Sequence, residues 1–139
     1  MNNSRHLSSP YRIIYFGTHS PFSLYPLLKL LQHEQIIIGI VLSNRNSIDK
    51  TIENYIPLKS STELLNNTII EVSWKHQIPI WTISDLPTNL DFDLLLVSCF
   101  PHKIQESLIA KAKVASVNIH PSILPEYKGP APIFWQWRN

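Results

Sequence analysis

Arg12-Ile13-Ile14-Tyr15-Phe16, then Leu24-Tyr25-Pro26-Leu27-Leu28-Lys29-Leu30-Leu31, then Ile36-Ile37-Ile38-Gly39-Ile40-Val41-Leu42 read in succession as strand, helix and strand. Arg12 to Phe16 is apolar on both alternating faces, the pattern of a central strand in a parallel sheet. Gly17-Thr18-His19-Ser20-Pro21 turns the chain, with Ser20 or Ser23 as N-cap. Pro26 favours the Ser23 start, because proline is tolerated only in a helix's first turn. Leu24, Leu27, Leu28, Leu30 and Leu31 supply a wide apolar face, and the helix is expected to run to about His33. Strand, helix and strand in so short a span predict a right-handed βαβ unit.

The alternation continues downstream. Ser43 to Ser60 is polar and irregular. Ser61-Thr62-Glu63 opens an expected helix to about His76, with Leu64, Leu65, Ile69, Val72 and Trp74 as apolar positions. Pro79–Ile83 and Leu94–Val97 read as strands. Pro101 to Lys113 contains a helix, and Val114 to Ile119 reads as a further buried strand. The pattern predicts an α/β fold: a Rossmann-like open, mostly parallel sheet with helices on both faces. Ligands bind such sheets at the carboxyl ends of the strands.

Composition sets the bounds. In 139 residues, 44% are hydrophobic and 16% charged, which describes one globular domain with a modest core. Met1 to Pro10 is polar and expected to be a disordered lead-in, leaving 11–139 as the folded part. A net charge of +2 does not demand a nucleic-acid partner. The single cysteine, Cys99, rules out an internal disulfide and fits a reducing, cytoplasmic setting. No apolar run reaches the ~18 residues of a membrane span, so no membrane partner is expected.

The strand beginning at Val114 ends at Pro121, which has no N–H to give a sheet ladder. Asn118 and His120 lie two apart and so project from one face. The Asn amide is a neutral donor, and His donates, accepts or carries a proton near neutral pH. Aimed at one point, the pair suits a developing oxyanion and the proton lost by an attacking amine. Read alone, the pair is better explained as an ordinary strand end whose polar groups cap nearby backbone.

Asn118-Ile119-His120-Pro121-Ser122-Ile123-Leu124-Pro125-Glu126-Tyr127-Lys128-Gly129, followed by Pro130-Ala131-Pro132-Ile133, resembles the signature of the formyltransferases that use 10-formyltetrahydrofolate. The resemblance implies formyl transfer to an amine acceptor, such as an aminoacyl-tRNA or an amino sugar. It implies that Asn118 and His120 are catalytic. Ser122, Ile123, Leu124, Pro125 and Gly129 would belong to the loop beside the active site. Phe100, Pro101, His102, Lys103 and Ile104 would contact the folate pterin, with Ile109 and Val117 as further candidate lining. The resemblance covers only the first part of that family's catalytic domain. It therefore implies a sheet incomplete at its C-terminus and no counterpart to the aspartate that orients the histidine. A catalytically dead folate- or protein-binding remnant, completed by a second chain, is the alternative. Glu126, where the family usually has a basic residue, and the mixed charge of Ser43 to Ser60 weaken the tRNA reading.

Other positions read more plainly. His19 sits in the first turn, where the resemblance implies an acceptor-side segment, but a solvent-exposed turn histidine is the better explanation. Cys99 reads as a small core residue rather than a nucleophile. No Gly-x-Gly-x-x-Gly follows the first strand, which argues against a dinucleotide, and no spacing of His, Cys and acidic residues predicts a metal site. Trp135 and Trp137 are large apolar groups that need a surface to pack on.

Overall fold

The computed structural model describes residues 9–43, 68–122, 124–127 and 136–138. Residues 1–8 of the expected lead-in, 44–67 of the expected polar segment and helix, and Ile123, Lys128, Gly129 and Trp135 lie outside the described residues. The chain runs β1 (Arg12–Gly17), α1 (Pro21–Gln32), β2 (Ile36–Leu42), α2 (Ile69–Lys75), β3 (Ile80–Trp81), a 3-10 turn (Ile83–Asp85), β4 (Leu94–Ser98), α3 (Glu106–Ile109) and β5 (Ala115–Ile119). Five strands form one sheet in the order β3-β2-β1-β4-β5, and every pairing is parallel. This is the expected Rossmann-like α/β architecture.

Parallel strands need long crossovers, and the crossovers cover the sheet on both faces. Ile13, Tyr15, Ile37, Ile40 and Leu42 pack with Leu24 and Leu27 of α1 and Ile69, Ile70 and Val72 of α2. Ile14, Phe16, Val41, Phe92 and Leu95 form the opposite core, closed by Leu86, Leu90, Phe100, Ile104 and Leu108. Successive β1 residues thus serve alternate cores, as the two-faced apolar run of Arg12–Phe16 predicts.

Several expected boundaries move. The helix α1 starts at Pro21, with Ser20 as N-cap, so Pro26 lies inside it and not in its first turn. Proline removes the amide that would bond the carbonyl four residues back. That carbonyl belongs to Phe22, and the Ser98 hydroxyl donates to it at 2.7 Å. A hydroxyl from β4 replaces the missing amide, so the interior proline survives. The helix expected to reach about His76 is not continuous through Thr68. Thr68 is extended and caps α2, its Oγ1 accepting the Glu71 N–H at 3.1 Å. The strand expected over Pro79–Ile83 shortens to Ile80–Trp81, because Thr82 Oγ1 bonds Ser84 and Asp85 and bends the chain into the 3-10 turn.

The β5 strand is also not the buried strand expected. Val114 is 58%, Val117 46% and Ile119 41% exposed. It is the edge strand of the described sheet, paired only with β4. β-Branched content predicts an extended backbone, but burial depends on what lies alongside.

Candidate functional site

The strand order turns back between β1 and β4: β2 and β3 lie to one side, β4 and β5 to the other. In open parallel sheets such a switch point leaves a crevice at the carboxyl ends of the two strands, because their onward connections leave for opposite faces. Three segments meet the carboxyl edge on this side of the sheet: the turn after β1, the segment Cys99 to Ile104 after β4, and the loop from His120 after β5.

At the β1 and β4 ends, polar groups are dense and satisfied. Ser23 in α1 is fully buried; its Oγ accepts the Thr18 N–H at 2.9 Å and donates to the Ser98 carbonyl at 2.7 Å. Tyr15 Oη donates to the Ser23 carbonyl at 2.6 Å, and burial pushes its hydroxyl pKa up to about 12. Burial also lowers the His19 pKa, favouring the neutral imidazole. Sequence reading missed Ser98 altogether. A signal existed: a proline inside α1 requires a donor for Phe22 from elsewhere in the chain.

Cys99 follows with φ 57°, a left-handed conformation unusual for a residue with a side chain. Burial raises its thiol pKa, as suits a packed rather than a reactive cysteine. Phe100 then packs edge-on against Phe16, centroids 5.2 Å apart, and against His102 at 5.6 Å. Of the five residues expected to meet a pterin, Phe100 and Ile104 are half-buried in the core facing α3, while Pro101, His102 and Lys103 are exposed. Ile104 also borders a cleft of about 200 Å³ whose walls include Phe16, Leu86, Leu108 and Lys111. Neither Asn118 nor His120 lines that cleft.

On β5, Asn118 stands in register with Val97 and Val117 with Leu96. Val97 packs into the core facing α3 and Leu96 into the core facing α1 and α2. Paired residues of adjacent parallel strands share a face. Asn118 is therefore on the face of Phe100 and Ile104, and exposed, whereas Val117 is on the other. This corrects the expectation that Val117 and Ile109 line one slot: α3, which carries Ile109, covers the face opposite Val117.

His120, half-buried, follows the last residue of β5, and its Nδ1 lies 2.6 Å from Ser122 Oγ. Ser122 Oγ also reaches the carbonyls of Glu126 at 3.2 Å and Tyr127 at 3.4 Å. The loop bends back through a cis Leu124–Pro125 peptide and a left-handed Tyr127, with Leu124 and Pro125 exposed. A serine hydroxyl has one proton and two lone pairs. When it donates to a backbone carbonyl it accepts from Nδ1–H and Nε2 is the basic nitrogen; when it donates to Nδ1, Nε2 carries the proton.

Neither Asp91 nor Asp93 can play the orienting role. Asp93 accepts the Arg12 N–H at 2.8 Å, and Asp91 pairs with Arg12 and Lys113. Both stand where β1 and β4 begin. The five residues of β5, at ~3.3 Å each, separate them from His120. Among the described residues no group of three His, Cys, Asp or Glu could hold a metal ion, and no helix is long and apolar enough to cross a membrane.

Fold and strand-end chemistry together describe an α/β domain with a histidine site at the edge of a parallel sheet. Residues 12–139 match the family model described as formyl transferase. The chain belongs to the formyl transferase family. It is 28% identical over 133 residues to the methionyl-tRNA formyltransferase of Gloeothece citriformis, covering 89% of this chain and 37% of that relative. It is 29% identical over 130 residues to the methionyl-tRNA formyltransferase of Staphylococcus epidermidis, covering 88% of this chain and 38% of the relative. The chain thus spans well under half the length of these curated relatives.

Proposed function

We propose that this chain carries donor-side and proton-transfer groups of a 10-formyltetrahydrofolate-dependent formyltransferase acting on an amine. The observation that carries the reading is the His120–Ser122 pair, which commits Nδ1 to the protein and leaves Nε2 for a reacting group. In the proposed reaction the amine nitrogen bonds to the formyl carbon, and the carbonyl oxygen takes up negative charge. Nε2 of neutral His120 takes the proton the amine loses, and the imidazolium so formed, with the Asn118 amide, stabilises that oxyanion. Collapse breaks the bond from the formyl carbon to the folate nitrogen N10. His120 transfers the proton lost by the amine to that nitrogen, releasing tetrahydrofolate and the N-formyl product. Phe100 to Ile104 would receive the pterin and Ser122 to Gly129 would border the reacting atoms. Methionyl-tRNA is the first acceptor to test, since both relatives are named for it; an amino sugar is the second. A cytoplasmic setting fits the lone cysteine.

A second reading has its own observation. Asp91 and Asp93 are committed at the far end of the strands, so neither orients His120. The chain then binds folate, or a second chain that completes the site, without turnover of its own. One experiment separates the readings: incubate the chain with 10-formyltetrahydrofolate and methionyl-tRNA or an amino sugar, follow N-formyl product, and measure folate binding by calorimetry in parallel. Product formation supports the transferase. Binding without product favours the second reading, and the absence of both overturns the two together.

A further inference from the structure

We propose that Ser23 and Ser98 are positioning residues that clamp the two strand ends flanking the switch point and thereby set the segment Phe100–Ile104. The inference rests on the reading of that segment as the folate contact.

The β1–β4 register ends at Phe16 and Val97, so beyond it the ladder no longer ties the two strands together. The first turn of α1 fills that gap. Ser23 Oγ holds the turn after β1 through the Thr18 N–H and holds β4 through the Ser98 carbonyl. Ser98 Oγ returns the link by donating to the Phe22 carbonyl. The exchange closes a ring through three elements, across 75 residues of sequence. Its members are packed without slack: a Cβ on Gly17 would lie 3.0 Å from Ser23 Cβ and 3.1 Å from its Oγ.

Support for the helix does not account for the whole device. The Ser98 hydroxyl does repair the carbonyl that Pro26 leaves unbonded. The two Ser23 bonds do nothing for the α1 ladder, because both partners lie outside it. What they fix is the residue immediately before Cys99. A left-handed residue with a side chain persists only when its surroundings determine it from both sides. Ser98 does so upstream, and the edge-on packing of Phe100 on Phe16 does so downstream. Loss of the Ser23 hydroxyl removes both of its bonds, loss of the Ser98 hydroxyl removes the tie to Phe22, and either loosens the hinge on which Phe100 to Ile104 is hung.

The test uses Ser98→Ala alone and combined with Pro26→Ala in the 139-residue chain. The single variant should lower Tm. The second substitution returns an amide to the Phe22 carbonyl and should restore Tm without rebuilding the clamp. If Ser98 positions the segment, the double variant still loses the ring contacts of Phe100 with Phe16 and His102, read as nuclear Overhauser effects. It also binds 5-formyltetrahydrofolate about tenfold more weakly than wild type. Ser23→Ala should give the same loss of ring contacts with the Phe22 bond intact, and it decides the matter if the double variant fails to fold. Wild-type ring contacts in a folded variant overturn the inference. If the wild-type chain does not bind the probe, the folate reading falls while the ring contacts still judge the clamp.

Discussion

Ser122 holds His120 by the nitrogen on the Cβ side of the ring: Oγ to Nδ1 is 2.6 Å, and the same oxygen bonds the carbonyls of Glu126 and Tyr127. A histidine used for proton transfer must be fixed in orientation and tautomer, usually by whatever binds its other nitrogen. In this chain a hydroxyl, wired to its own loop, is the group found there.

On the proposed transferase reading, Ser122→Ala should therefore lower formyl transfer by roughly tenfold to a hundredfold, equivalent to about 1.4–2.7 kcal/mol of transition-state free energy. His120→Ala should remove the rate attributable to proton transfer, on the order of a hundredfold or more. Neither change should move Tm much, since Ser122 and His120 are only half-buried. Initial rates with Tm measured alongside check this. A wild-type rate in Ser122→Ala would show that the hydroxyl does not govern the ring.

Gly39 should not tolerate alanine. It follows the register shift between β1 and β2, and a Cβ built there would fall within the Trp81 indole. Trp81 belongs to the short edge strand β3 and packs with Val41 and Ile14. Displacing it should cost about 1–3 kcal/mol, the usual range for overpacking. Urea unfolding should show a lower midpoint, with a smaller Trp81 fluorescence change if the indole has left its slot.

Thr68→Ala removes the acceptor for the Glu71 N–H at the start of α2. The helix has seven residues and depends on its cap more than a long one would. A loss of about 1 kcal/mol is expected, with most of it regained in Thr68→Ser, which keeps the oxygen. Equal stability of Thr68→Ala and wild type in urea would show that the cap is dispensable.

Cys99 should alkylate slowly. Burial raises its pKa above the ordinary 9.0, so less thiolate is present at any pH below that value than in a free thiol. The neutral thiol is the form the fold favours. Its contribution is full below the unfolded-state pKa and declines as pH rises through the folded one. Iodoacetamide labelling from pH 7 to 10 should lag a model thiol throughout. A rate matching the model thiol at pH 7.5 would contradict the burial.

Much of the fold is legible in the residues because its causes are local. Apolar runs on both faces mark β1 and β2, and leucines at helical spacing mark α1. The stretch from Asn118 to Gly129 carries the resemblance that the family match to residues 12–139 bears out. Thr68 was legible too, as a threonine three residues before Glu71.

Other features have no local cause. Pro26 alone argues against a helix starting at Pro21, and what admits it is a hydroxyl 76 residues from the carbonyl it serves. The exposure of Val117 and Ile119 follows from the place of β5 at the sheet's edge. The division of Asn118 and Val117 between opposite faces follows from register with Val97 and Leu96. By itself the sequence determined which segments are strands and helices, and it named the side chains proposed to bear the chemistry, because backbone preference and side-chain identity belong to each residue. Only the tertiary structure decided which of those side chains meet, since burial, register and the repair of an orphaned carbonyl depend on segments brought together from far apart in the chain.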